Sequence, residues 1–189
     1  MNREKALEIV KEYISNPNLL RHMLAVEAAM RFYANYYHED EETWAIAGLL
    51  HDFDYEIHPT MDKHPQDGAP ILRERGVPEE IILAVLSHAD HTGVPRNTLL
   101  RKALFACDEI TGLINAVALV RPSKSLHDLS ANSIKKKWKN YHFAAGANRD
   151  EISEGAKALN IDLWQHVENV IHAMRTIASE LCLNGAEIE

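Results

Sequence analysis

Eleven histidines occur in 189 residues, and His51 keeps the most telling company, in the run Gly48-Leu49-Leu50-His51-Asp52-Phe53-Asp54-Tyr55-Glu56. An adjacent His-Asp pair closing an apolar run is weak evidence alone. A second pair, His127-Asp128, stands in a loop with nothing around it to support a site. The first pair is set apart by His22 upstream and by His64, His88 and Asp108 downstream. Neutral imidazoles and carboxylates together are the donor set that suits iron, manganese, zinc and similar divalent ions. Spread in order over separate helical segments, they predict a metal centre built in a helical core.

Each residue also has a plainer reading. His22 shares a helical face with Ala25, Val26, Ala29 and Tyr33, so it points inward, where one hydrogen bond satisfies a core histidine. Asp108 follows Ala103-Leu104-Phe105-Ala106-Cys107, and a carboxylate in such surroundings is costly unless paired or metal-bound. A buried salt bridge or a cap is its alternative role. Within a regular helix His51 and Asp52 point about 100° apart, so both reach one ion only where the helix ends. Alternatively Asp52 bridges two ions with its two oxygens while His51 binds one of them. His64 opens a helix and His88 closes another, which lets both converge on a cleft or leaves each a polar helix end. His91, three residues beyond His88, competes with it as a ligand. His38, His58, His127, His142, His166 and His172 lack such context and read as surface or structural residues.

The periodicity that must position these groups is helical nearly throughout, with no convincing alternating strand. Helices are predicted over about 3–14, 17–36, 41–51, 64–76, 78–89, 97–120, 131–140, 149–159 and 161–183. Asn16-Pro17 supplies a cap and a first-turn proline for the second of these. Residues 53–63 read as a loop. The last helix carries Leu163, Val167, Val170, Met174, Ile177 and Leu181 as one apolar stripe, and Asn184 to Glu189 are expected to fray. No repeat or linker interrupts the pattern, so the expectation is an all-α, single-domain helical bundle over residues 1–189.

Composition narrows the partners. With 46% hydrophobic and 25% charged residues the chain reads as a soluble globular protein long enough for a full core. A net charge of −8 and a pI near 5.8 argue against a nucleic-acid polymer as partner. The basic run Lys135-Lys136-Lys137-Trp138-Lys139 reads as a solvated helix with Trp138 turned inward, or as the rim of a phosphate-binding cleft. Cys107 and Cys182 have no metal or disulfide spacing and read as buried small hydrophobes in a reducing compartment. The start of the chain has no signal-peptide apolar region, and no apolar run approaches the roughly 18 residues of a membrane span. A cytoplasmic protein that avoids membranes is expected.

The order His22, His51-Asp52, His64, His88, Asp108 resembles the HD-domain superfamily of metal-dependent phosphohydrolases, in its dinuclear branch. The likeness rests on Ala47-Gly48-Leu49-Leu50-His51-Asp52, His64-Pro65-x-x-Gly68-Ala69, Ala84-Val85-Leu86-Ser87-His88 and Ala106-Cys107-Asp108-Glu109-Ile110, spanning about residues 20–115. It departs from the His-Asp-Ile-Gly form of some members, since Phe53-Asp54 stands there. Residues after 120 match no signature, so the segment that selects substrate is unassigned. By this resemblance His22, His51, Asp52 and Asp108 would hold one ion, and His64 and His88 a second, with Asp52 shared.

Two divalent ions about 3.5–4 Å apart can hold a phosphoryl group and turn a bridging water into hydroxide at neutral pH. The expected activity is therefore hydrolysis of a small phosphate ester or nucleotide, with divalent iron, manganese, cobalt, zinc, magnesium or nickel as cofactor. Asp52 is expected at the reacting centre, and Asp54 or Glu56 as proton donor. Lys124, in Arg121-Pro122-Ser123-Lys124-Ser125, is the first candidate for a phosphate-binding cation. Arg149 is the second, at an apparent helix start where N–H groups also favour anions. Solvated surface charge is the alternative for both. Two other classes compete: an HD-type di-iron oxygenase, which shares the ligand order, and a non-catalytic regulatory module, which would not need the full ligand set.

Overall fold

The computed structural model describes residues 1–185. Among them the chain forms nine α-helices and no strand, as its periodicity predicts. In order they are α1 (Arg3–Tyr13), α2 (Pro17–Tyr37), α3 (Glu41–Leu50), α4 (Gly68–Glu74), α5 (Glu79–Ser87), α6 (Leu99–Leu119), α7 (Ala131–Trp138), α8 (Arg149–Ala158) and α9 (Leu163–Arg175). A single 3₁₀ turn, Asp90–Thr92, separates α5 from α6. Local chemistry sets the starts. Asn16 accepts the Asn18 N–H with Pro17 in the first turn of α2, and Asp40, Thr98 and Asp162 cap α3, α6 and α9 in the same way.

The two longest helices, α2 and α6, form the centre. α2 packs against α3, α6 and α9, while α6 packs against α5, α8 and α9. Met23, Val26, Met30 and Tyr33 of α2 and Leu104, Ile110, Leu113 and Ile114 of α6 are withdrawn from water. Burial of each such side chain contributes about 1.5–3 kcal/mol. Gly48 lets α3 press onto α2: a Cβ there would lie 2.9 Å from Met30 Cγ and 3.0 Å from Glu27 Cα. His51 falls one turn later on that face, so the same close approach brings it beside His22 of α2.

Several boundaries differ from the periodicity. The helix expected from His64 begins only at Gly68, and residues 61–67 are successive turns with His64 among them. α9 is regular only to Arg175. Beyond it Ile177 and Ala178 bond three residues back, to the Met174 and Arg175 carbonyls, which tightens the chain while Leu181 stays buried. Asn184 does not fray: it pairs with Ser125, and Leu126 N–H donates to the Leu183 carbonyl at 2.8 Å. Residues 186–189, also expected to fray, lie outside the described residues. Cys107 is buried as expected, but Cys182 is exposed, in the turns beyond α9 where its φ is 56°. Trp138 packs edge-on against Trp164. Among the described residues no helix is long and apolar enough to cross a membrane.

Candidate metal centre

Six side chains from five stretches of chain meet at one place. His22 comes from α2, His51 caps the C-terminus of α3 and Asp52 follows it. His64 comes from the turns before α4, His88 from the C-terminal cap of α5, and Asp108 from the middle of α6. They form two triads, His22–His51–Asp108 and Asp52–His64–His88, each with its ligand atoms within 4.8 Å of one another. In the first, His22 Nε2 lies 3.0 Å from Asp108 Oδ1 and 3.2 Å from His51 Nε2. In the second, His64 Nε2 lies 3.2 Å from Asp52 Oδ1 and 3.3 Å from His88 Nε2. Asp52 faces both. Its Oδ1 addresses His64 and His88, while its Oδ2 is 3.5 Å from His51 Nε2 and 3.7 Å from His22 Nε2. The end of α3 at His51 lets His51 and Asp52 face one place, and the second oxygen of Asp52 is also turned to the other triad.

The imidazole hydrogen bonds fix what these rings offer. His51 Nδ1 donates to the Gly48 carbonyl at 2.8 Å, His64 Nδ1 to Asp54 Oδ1 at 2.8 Å and His88 Nδ1 to the Val85 carbonyl at 2.5 Å. A carbonyl or carboxylate oxygen only accepts, so each Nδ1 carries the proton. Thr111 spends its hydroxyl hydrogen on the Asp108 carbonyl, so its oxygen accepts from His22 Nδ1 at 3.3 Å. All four rings therefore turn Nε2 inward, in two pairs 3.2 and 3.3 Å apart with two carboxylates beside them, and each ring in its neutral form offers a lone pair there. Two lone pairs at that separation repel unless a proton or a metal cation lies between them. This is the arrangement of a metal ligand set whose outer ring nitrogens are held by acceptors.

The titration of the groups points the same way. Burial opposes charge on His51 and on His64. The carboxylates of Asp52 and Asp108 outweigh it for His51, and those of Asp52 and Asp54 for His64, and both imidazoles rise to about 9. Burial likewise opposes charge on Asp52 and Asp108, yet the neighbouring histidines hold both below the usual carboxylate range. His88 has its pKa lowered, chiefly by burial. The pocket favours positive charge at its centre, and a metal ion supplies it without protons.

Behind the ligands stands a second layer. Asp54 is fully buried, and its two oxygens accept from His64 Nδ1 at 2.8 Å and His58 Nδ1 at 3.1 Å. Gly68 makes room for it, since a Cβ there would fall 2.6 Å from the Asp54 carboxyl carbon. Asp54 is thus a positioning residue for His64 rather than the expected proton donor, because both its oxygens are engaged away from solvent. Glu56 is not a donor at the site either: it accepts from the Ser15 and Asn16 N–H groups ahead of α2.

An open cavity of about 910 Å³ reaches both triads, and Glu109, Glu151, Ala144, Gly146 and Ala147 also line it. His91 lines it, but its Nε2 is taken by the His64 carbonyl at 3.0 Å and Gln66 Oε1 at 3.2 Å, so it does not compete with His88. Lys124 is not in the lining. It lies past the end of α6, and about 16 Å of helix already separates Asp108 from Leu119. Arg149 faces away from the triads as well. Its guanidinium donates to the carbonyls of Phe143, Ala144 and Ala147, making it a buried clamp on that loop instead of a phosphate-binding cation. Asp128 of the other His-Asp pair is held by Arg121 at 2.6 Å and by the Ser123 hydroxyl. Sequence reasoning did not single out Glu109, Glu151, His58 or His166. Glu109 had its adjacency to Asp108 as a signal, and nothing local marks the others.

The family model for the HD domain matches residues 19–113, just over half of the chain and the stretch that supplies all six converging side chains. No curated protein and no solved structure matches the chain. HD domains bind divalent metals within a superfamily of metal-dependent hydrolases, and the helical core here gathers four imidazoles and two carboxylates into two adjacent triads that could hold such ions. The chain belongs to the HD-domain family.

Proposed function

We propose that the protein is a metal-dependent phosphohydrolase acting on a small phosphate ester or nucleotide, with one divalent ion on each triad. The observation that carries this reading is the set of four Nδ1-protonated imidazoles whose Nε2 atoms face Asp52 and Asp108 at the floor of an open cavity. His22, His51 and Asp108 would hold one ion and His64 and His88 the other, with Asp52 reaching both. When bound, such a pair supplies Lewis acidity toward phosphoryl oxygens and lowers the pKa of water enough for attack on phosphorus at neutral pH. The remaining work belongs to the chain. Asp54, backed by His58, keeps the His64 ring in the orientation and tautomer the centre needs. The Gly48, Val85 and Thr111 oxygens do the same for His51, His88 and His22.

The test is turnover by metal-free protein resupplied with manganese, cobalt or ferrous iron, assayed on a wide panel of phosphate esters and nucleotides. Metal-dependent release of phosphate or of a phosphorylated fragment is expected. Substrate-dependent oxygen uptake with no hydrolysis across the panel would replace this reading with the oxygenase one.

A further inference from the structure

The cavity beside the triads is lined by no lysine or arginine among the described residues. Its charged groups beyond the ligands are all acidic: Asp90, Glu109 and Glu151. Asp90 is already paired, with Arg96 at 2.6 Å. Glu109 and Glu151 are not. Glu109 Oε2 accepts the Asn148 N–H at 2.9 Å, and Glu151 Oε1 accepts from Asn148 Nδ2 at 2.5 Å, so Asn148 fixes both carboxyls with one oxygen of each to spare. They come from helices that pack on each other, α6 and α8, and form one wall next to Asp108.

Charge balance makes this wall selective. With a divalent ion on each triad, the ions exceed the charge of Asp52 and Asp108 by two, which a single phosphate monoester dianion cancels. A second or third phosphate would find no cation, and would face Glu109 and Glu151 across the cavity at a repulsive cost. We infer that the substrate is a small phosphate monoester whose organic part carries a cationic amine seated against Glu109 and Glu151, and not a nucleoside diphosphate or triphosphate. This inference rests on the phosphohydrolase reading of the same site. Glu151 and Glu109 are then the specificity-determining residues: their free oxygens accept N–H donors from the amine, a charge-assisted pairing that an ester without the amine forgoes.

O-phosphoethanolamine and propyl phosphate separate the possibilities, since they differ by an ammonium in place of a methyl group. Both are titrated calorimetrically into the manganese-loaded protein, alongside ATP, and kcat/KM is measured for each ester that turns over. Wild type is expected to bind O-phosphoethanolamine at least about ten-fold more tightly than propyl phosphate, and more tightly than ATP. In Glu151→Gln, which keeps the shape of the side chain, that ratio is expected to fall toward one, and Glu109→Gln gives an independent second reading. Equal binding of the two esters, a preference that survives both substitutions, or tighter binding of ATP overturns the inference while leaving the phosphohydrolase reading in place. If no phosphate ester binds the metal-loaded protein at all, the phosphohydrolase reading itself fails and takes this inference with it.

Discussion

His64 Nδ1 donates to Asp54 Oδ1 across 2.8 Å, and the Asp54 carboxylate, wholly buried, is held on its other side by His58. The ring orientation of a ligand is thus set by a residue that does not reach the cavity. Asp54→Asn replaces one accepting oxygen with a donor, so one of the two histidines loses its partner. Affinity at the Asp52–His64–His88 triad is expected to fall by about 10–100-fold, with the His22–His51–Asp108 triad less affected. Manganese titration by calorimetry resolves the two. An unchanged second-site affinity would reject the positioning role.

Asp52 is the one carboxylate addressing both triads. Asp52→Ala should therefore abolish metal retention at both and remove activity. Asp128→Ala should change neither, since Asp128 is engaged only with Arg121 and Ser123. Metal content by elemental analysis after dialysis is the measurement, and equal losses in the two variants would contradict the site.

Removing a ligand from one triad should leave the other. His64→Ala and His88→Ala are expected to lower bound metal from about two ions per chain toward one. His91→Ala should have the smaller effect, because His91 Nε2 serves the His64 carbonyl and Gln66. A wild-type chain that never takes up more than one ion under metal-replete conditions would defeat the two-ion arrangement.

Arg149 provides a test of clamp against phosphate cation. Its guanidinium gathers three carbonyls of the loop ahead of α8. Arg149→Ala should destabilise the protein by about 2 kcal/mol or more and speed amide exchange through residues 143–148. A rise in KM with exchange and melting unaltered would return Arg149 to a substrate-binding role.

His166 predicts an acid sensitivity. Burial depresses its pKa from 6.5 to about 4, and the ring is neutral, with Nε2–H donating to the Ala106 carbonyl and Nδ1 accepting from the Tyr33 hydroxyl. Below 6.5 the unfolded chain takes up a proton that the folded chain refuses until about 4. Stability is thus fully present above that window and falls as pH drops through it, by about 1.4 kcal/mol per unit from this group. His166→Gln should be less stable than wild type at pH 7 yet lose less between pH 6.5 and 4.5, by urea midpoints at each pH. Parallel pH profiles for the two proteins would contradict the assignment.

Much of the centre was legible in the chain itself. His22 on the inward face of α2, His51 and His88 at helix ends, and Asp108 in an apolar stretch of α6 are local facts, because helical periodicity and capping depend on residues a few positions apart. The helices that carry or end at these four residues follow from those facts, whereas His64, expected to open a helix, lies in the turns before α4. Tertiary structure decided the rest. That Asp52 spans both triads depends on the backbone leaving α3, and that Asp54 is buried depends on the turns after it folding back onto Gly68. Lys124 read as a candidate from its loop alone, but the full length of α6 carries it away from the cavity. Glu109 and Glu151 lie on different helices and meet only because α8 packs against α6. Periodicity tells which face of a helix turns inward. It does not tell which neighbour that face meets or at what rotation, and those are set by the packing of many side chains at once.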